Sequence, residues 1–263
     1  MNHQPKVAII CQARTGSTRL SGKVLLPLAG EPLLLRFLER VSMARYAKNV
    51  IVATTTLAQD DEIADLCRIA GYRVYRGHPT DLLDRHFWAA QMVDADVVVK
   101  IPTDCPLIDP AVIDLVIEKF LQEYPWVDYA SNLHPGTWPD GNDVEVMTML
   151  ALHRAWATAS RPHEREHTTP WMWENNPYIT MRNVERPDGQ LLEARHRWTI
   201  DHPEDYVLIR AVYDALYWAN PRFRCEDVLA FLDAHPEIDL INQQLRGQSW
   251  YQSYLQSPPR IAS

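Results

Sequence analysis

Between residues 14 and 23 the chain places Arg14, Gly16, Ser17, Thr18, Arg19, Gly22 and Lys23. Three cations, two glycines and several hydroxyls in so short a loop suit a polyphosphate. Glycines let backbone N–H groups approach an anion closely, and Arg and Lys supply charge and several donors each. The loop is not a Walker A motif: one residue too many separates Gly16 from Gly22, and Val24 stands where that motif has its Mg²⁺-binding hydroxyl. A solvated basic loop with no ligand is the plain alternative.

Two other aspartates are placed for chemistry. Asp104 lies between Pro102 and Pro106 in PTDCPLIDP, directly after an apolar run. A carboxylate there can serve a hard cation such as Mg²⁺, or it can simply hold a turn. Asp109, before Pro110, reads as a helix cap. Asp201 follows WTI and precedes His202–Pro203, a position that by itself suggests an N-cap.

These residues need a frame, and the hydrophobic pattern supplies one. The loop follows an apolar run rich in Val and Ile (Val7, Ile9, Ile10), which reads as a buried parallel strand. Helical spacing over 33–45 is followed by a strand at 49–55, a helix at 59–70, a strand at 72–76, a helix at 81–93 and a strand at 96–101. Such alternation predicts a Rossmann-like, doubly wound, mostly parallel α/β sheet whose ligands bind beyond the carboxyl ends of the strands. The opening loop, TTTLAQDD, RGHPTD and PTDCPLID would all gather on that edge. Farther on, a helix from Pro110, a strand at 127–133 and the alternating DVEV (143–146) predict an antiparallel excursion. Another strand at 178–185, a short strand WTI and C-terminal helices from Pro203, Cys225 and Pro236 complete the pattern.

With 263 residues, 46% hydrophobic and 23% charged, the chain has the composition of an ordinary globular protein. Its formal net charge of −8 argues against broad nucleic-acid binding, so a local basic loop points to a small anionic ligand. No run approaches a membrane span, MNHQPKVAII lacks signal-peptide architecture, and a cytoplasmic location is expected. Cys11, Cys67, Cys105 and Cys225 are scattered without a C-x-x-C pair, which fits reduced core thiols. HEREH (163–167) matches H-E-x-x-H in letters only. Pro162 and Pro170 confine it to about two turns with no apolar anchor, which argues against a zinc protease. Trp171 and Trp173 read as core or dimer contacts.

In its wording, QARTGSTRLSGKVLLPLAGEPLL resembles the cytidylyltransferases that activate acidic sugars, the 3-deoxy-manno-octulosonate and acylneuraminate enzymes. It is most similar to the branch of spore coat polysaccharide biosynthesis protein F. Ala13, Arg14, Ser17, Thr18, Arg19, Leu20, Gly22 and Lys23 match that branch's A-R-x-x-S-T-R-L-P-G-K, with Ser21 in place of proline. PTDCPLIDP, the Pro139–Val146 segment, REHTTP and RWTIDHPED extend the similarity over most of the chain, with Pro102–Thr103 where the family has Thr-Gly. The resemblance implies a nucleotidyltransferase of the nucleotide-diphospho-sugar transferase type that joins CMP from CTP to a small acidic sugar and releases pyrophosphate. It implies Mg²⁺ on Asp104 and Asp201, and triphosphate contacts from Arg14, Gly16, Ser17, Arg19 and Lys23. It further implies a base pocket from Ala13 and Arg85, and acceptor contacts from Asp140, Gly141, Glu145, Glu166 and His167. Arg14, Lys23, Asp104 and Asp201 would carry the catalysis. A homodimer is expected from the same source, with surface polysaccharide or glycoconjugate synthesis as the setting and neither nucleic acid nor membrane as partner.

On this reading residues 1–246 form one domain. The nucleotide half is about 1–125, the acceptor and dimer half about 126–200, the C-terminal helices 203–246, and 247–263 are a tail. The alternatives are another NTP, or a sugar-phosphate or phosphonate acceptor. A glycosyltransferase using a D-x-D such as Asp94–Ala95–Asp96, and an inactive nucleotide-binding subunit, also stay open.

Overall fold

The computed structural model describes residues 4–17, 19–174, 176–248 and 251. Thr18 of the opening loop and most of the C-terminal tail lie outside the described residues.

The apolar runs form strands β1 (Val7–Gln12), β4 (Val50–Thr55), β5 (Arg73–Gly77) and β6 (Val97–Pro102). A two-residue hairpin of β2 (Pro27–Leu28) and β3 (Glu31–Pro32) follows the opening loop. Strands β7 (Tyr129–Ser131), β8 (Glu145–Thr148) and β9 (Met181–Asn183) complete a seven-stranded sheet of order β5-β4-β1-β6-β8-β7-β9. Neighbours β5, β4, β1 and β6 pair in parallel. β8 runs against both β6 and β7, and β9 is parallel to β7. Only β8 is therefore reversed, which is the expected excursion.

Helices α1 (Leu33–Ser42), α2 (Asp61–Ile69) and α4 (Pro110–Glu123) cover one face of the sheet; α3 (Leu82–Gln91) and α5 (Met149–Thr158) cover the other. The alternation of β1 shows why. Ile9 and Cys11 join the first layer, Ala8 and Ile10 the second, and all four are fully buried. Caps set the helix starts. Asp109 accepts from Ala111 N–H at 2.8 Å ahead of Pro110, as its position predicts, and Asp81 accepts from Asp84 N–H at 2.9 Å. The sequence pattern had not marked α5, which Thr148 caps through Ala151 N–H at 3.0 Å.

After α6 (Pro162–His167) and α7 (Pro170–Trp173), the chain returns to the strand edge through 197–201 and enters α8 (Pro203–Leu216), α9 (Cys225–Ala234) and α10 (Pro236–Asp239). These last helices form a third apolar cluster with Leu28, Leu33 and Trp198. WTI is not a strand: beside it lies the single bridge Asp140↔Arg197, and the segment is held by packing and by the N–H groups of Trp198 and Ile200, which donate to the Asp140 and Asp104 carbonyls at 2.7 and 2.8 Å. All four cysteines are free and buried, and burial raises the thiol pKa of each. Among the described residues no helix is long and apolar enough to cross a membrane.

Candidate active site

The carboxyl ends of β1 and β6 open into a cleft of about 660 Å³. Every residue named above as a site candidate lines it except Gly16 and Gly141. Gly16 is exposed beside the cleft lining, next to the Gln59 side chain. Gly141 acts through its backbone. At φ +108° it lies so close to the chain that a Cβ would stand 2.7 Å from the carbonyl carbon of Trp198. It therefore seats the Asp140 turn against 198–199 rather than touching an acceptor.

The opening loop is built around Thr15. Its carbonyl accepts from Ser17 N–H at 2.8 Å and Gly22 N–H at 3.0 Å. Thr15 is pinned in turn by the fully buried Asp60, which accepts from its N–H at 2.8 Å and its hydroxyl at 2.7 Å. Gly22, at φ +66°, then turns the chain so that Lys23 points inward. Ala13 N–H donates to Ala53 carbonyl at 3.1 Å, so that group is tied to the sheet edge instead of the predicted base pocket.

Lys23 is nearly buried, and its ammonium uses all three donors: Ile200 carbonyl at 2.6 Å, Asp104 Oδ2 at 3.0 Å and Asp201 Oδ1 at 3.0 Å. Burial works against its charge, but the two carboxylates outweigh that and raise its pKa. Asp201 also takes Arg19 at 2.8 Å and Arg197 at 3.4 Å. Burial opposes its charge too, and Lys23 with Arg19 overcomes this and lowers its pKa. Lys23 and Arg19, expected on phosphates, are thus paired with the carboxylates. Asp201 is not the helix cap. That role falls to Asp205, whose Oδ2 accepts from the N–H groups of Asp201 and His202 at 2.9 Å each.

Two carboxylates converging on one cation are also what a hard divalent ion requires, and Lys23 Nζ stands in for it. Among the described residues no group of three or more His, Cys, Asp or Glu could hold a metal. An ion here would therefore complete its shell with ligand oxygens, as Mg²⁺ does with phosphates. The donor set fits Mg²⁺.

Arg85 is buried at the cleft wall, and its Nε and Nη1 find no partner. Burial first, and then Arg14, pull its pKa down to about 10. Donors left open at a ligand cleft mark a place for acceptor atoms.

The far end of the cleft combines acidic and aromatic groups. Asp140 pairs with Arg197 at 3.3 Å, and burial and Asp143 raise its pKa. Burial and Asp104 push Asp143 up to about 7. Glu145 is fully engaged by Lys100 and, at 2.7 Å, by the Tyr129 hydroxyl; this makes it a support, not the acceptor contact predicted for it. Glu166 is exposed at the rim, and burial drives His167 down to about 3, so it is neutral. Trp171 and Trp173 pack against the core layer of α3 and α5, as the sequence suggested, and Trp173 also lines the cleft with its ring 4.4 Å from His134 and 4.7 Å from Tyr251.

The discarded motifs stay discarded. His163 binds Glu174 at 2.9 Å while Glu164 caps α6 through the N–H groups of Ser160 and Arg161, so HEREH converges on no ion. Asp96 accepts from Lys6 N–H at 2.8 Å at the start of β6, away from the cleft. Sequence reasoning missed Asp60, Lys100 and Asp143 as site residues. A single lysine inside the apolar run VVVKI was the one clear signal among them.

Known proteins resemble this chain in sequence and in fold. Residues 8–223 match the family model for cytidylyltransferases. The spore coat polysaccharide biosynthesis protein SpsF of Bacillus subtilis is 28% identical over 88% of this chain and 95% of its own. The 3-deoxy-manno-octulosonate cytidylyltransferase of Geobacter sulfurreducens is 40% identical over 77% of this chain and 78% of its own. A cytidylyltransferase from Leptospira borgpetersenii superposes with a TM-score of 0.85 at 30% identity, covering 94% of this chain and 99% of that one. By sequence match and by fold alike, this chain belongs to the cytidylyltransferase family.

Proposed function

We propose that the protein transfers CMP from CTP to a hydroxyl of a small acidic sugar, with Mg²⁺, releasing pyrophosphate. The observation that supports this best is the convergence of Lys23, Asp104 and Asp201 at the mouth of a cleft whose loop carries Arg14 and Arg19. Those side chains answer the needs of the reaction. The acceptor oxygen attacks the α-phosphorus, the bond from that phosphorus to the α–β bridging oxygen breaks, and the bridging oxygen leaves with pyrophosphate. The acceptor's proton passes to solvent. Charge grows on the leaving phosphates, and Arg14, Arg19 and Lys23 are placed to neutralise it. Asp104 and Asp201 would hold Mg²⁺, which when bound supplies Lewis acidity at the α-phosphate. Arg85 offers its open donors to the nucleotide.

The nucleotide half, about 1–125, and the acceptor half, about 126–200, meet along this cleft. Relatives named for 3-deoxy-manno-octulosonate and for spore coat polysaccharide favour an acidic sugar destined for surface polysaccharide. A homodimer belongs to the same reading. Trp88 on α3 and Met92 just past its end, both exposed, offer apolar surface for it.

The test follows the label from α-³³P CTP in the presence of Mg²⁺ and a panel of sugar acids. Label in a sugar–CMP conjugate beside unlabelled pyrophosphate is expected. Label in pyrophosphate, or transfer with UTP, GTP or ATP in preference to CTP, would overturn the reading.

A further inference from the structure

Lys100 sits near the middle of the sheet, on β6, with β1 on one side and β8 on the other. Its direct cross-strand neighbour is Glu145, and the two form an ion pair whose side chains are 11% and 4% exposed. Burying a lysine there is expensive. An aliphatic pair of similar volume would serve the fold as well or better, so stability does not explain its presence. The pair nevertheless opens onto the cleft, since both residues line it.

The charge arithmetic of the cleft gives the pair a purpose. Arg14, Arg19 and Lys23 belong to the opening loop, and Arg85 to the wall beside it. Arg197 is taken up by Asp140, Asp201, Asp205 and the Gln248 carbonyl. Among the described residues Lys100 is the remaining cation of the cleft, and its surroundings come from the second half of the chain. Glu145 holds it, Tyr129 holds Glu145, and the imidazoles of His134 and His167 lie within its field. An ammonium has three N–H donors, and Glu145 accepts one. The fixed carboxylate orients the head group and leaves two donors for a ligand. Around it the cleft is lined by Asp140, Asp143, Glu166 and Glu193, none of which brings a positive charge to an anion.

Resting on the acidic-sugar reading above, we infer that Lys100 is the residue that receives the acceptor's carboxylate. Glu145 and Tyr129 position it. Acceptor selectivity then resides in the ammonium of a buried cross-strand pair, with Glu145 as its positioning partner.

The test is calorimetric binding of a 2-keto-3-deoxy sugar acid, and of its neutral C1 carboxamide, to protein loaded with α,β-methylene-CTP and Mg²⁺. Wild type should bind the acid at least about tenfold more tightly than the amide, the worth of a charge-assisted hydrogen bond. Lys100→Met should lose that preference while binding the nucleotide analogue as before, and Lys100→Arg should keep part of it. Should Lys100→Met fail to fold because Glu145 is stranded, the double variant Lys100→Leu/Glu145→Leu removes both charges and gives the same readout. Equal binding of acid and amide by wild type, or an unchanged preference in the variants, overturns the proposal. Selective binding of the acid without any pyrophosphate release from CTP itself would sink the proposed reaction and leave Lys100 standing.

Discussion

Asp104 and Asp201 share one ammonium: Lys23 Nζ lies 3.0 Å from an oxygen of each. The two aspartates come from opposite ends of the fold, one after β6 and the other before α8. Lys23 itself arrives from the loop after β1. Three distant segments are therefore clamped at a single point, where a triphosphate and a divalent ion would exchange partners with Lys23. The arrangement is electrostatic and built before the ligand arrives, which is what efficient phosphate chemistry asks for.

Asp104→Asn and Asp201→Asn keep the shape of the clamp and remove one charge each. Turnover should fall by at least about 100-fold in either variant while the circular dichroism spectrum stays native. A rate within a few-fold of wild type would withdraw the metal-holding role from that residue.

Thr15 and Asp60 hold the opening loop from behind and do not line the cleft. Thr15→Val loses the 2.7 Å hydroxyl bond and keeps the backbone one, and Asp60→Asn weakens both. Both variants should raise the KM for CTP, by about 3- to 10-fold for the first and more for the second, as expected for one and two buried hydrogen bonds. The KM of the acceptor should hold. Steady-state kinetics with each substrate varied separately would show the split, and equal loss on both substrates would contradict it.

The buried guanidinium of Arg85 has two unpartnered nitrogens in the free protein. An apolar replacement removes that liability, so Arg85→Met should gain stability on the order of 1 kcal/mol. The same variant should lose CTP affinity by about tenfold or more. Thermal melting and titration calorimetry measure the two effects. A variant that melted lower and bound CTP normally would show Arg85 to be structural.

Acid stability has an identifiable contributor in His86. It is fully buried on α3, its Nδ1 is 2.9 Å from the Leu82 carbonyl, and burial pulls its pKa down to about 3. The unfolded chain takes up a proton near pH 6.5, which the native state refuses until about pH 3. Stability is thus fully present above pH 6.5 and falls as the pH drops toward 3. Urea melts at several pH values should show this acid slope in wild type and a shallower one in His86→Gln. Identical slopes would remove His86 from the account.

Much of this was legible from residue order. Val and Ile runs alternating with helical spacing announce a parallel sheet, and a parallel sheet gathers post-strand loops on one edge, which is how the loops carrying Arg14 and Asp104 could be placed together, while Arg85 came from the family resemblance. Side-chain pairing was not legible. Nothing local in GKVL says that Lys23 turns toward Asp201, because that contact depends on how the C-terminal helices return to the sheet. Gly141 was expected at the acceptor because its segment resembles the family's, whereas its close backbone approach to Trp198 is one that only the fold creates. Glu145 and Lys100 were separated in the sequence reading by a strand reversal, and the reversal is what makes them neighbours. WTI had strand-like residues but lacked a strand to pair with, so packing overrode its propensity.

The most direct measurement is pyrophosphate release from CTP and a 2-keto-3-deoxy sugar acid, followed with Mg²⁺ and after chelation, for wild type and Asp104→Asn side by side. The account predicts release by wild type only when CTP, the acid and Mg²⁺ are all present, and next to none by the variant. Undiminished release after chelation, or from Asp104→Asn, would contradict a reaction organised around the shared Asp104–Lys23–Asp201 clamp.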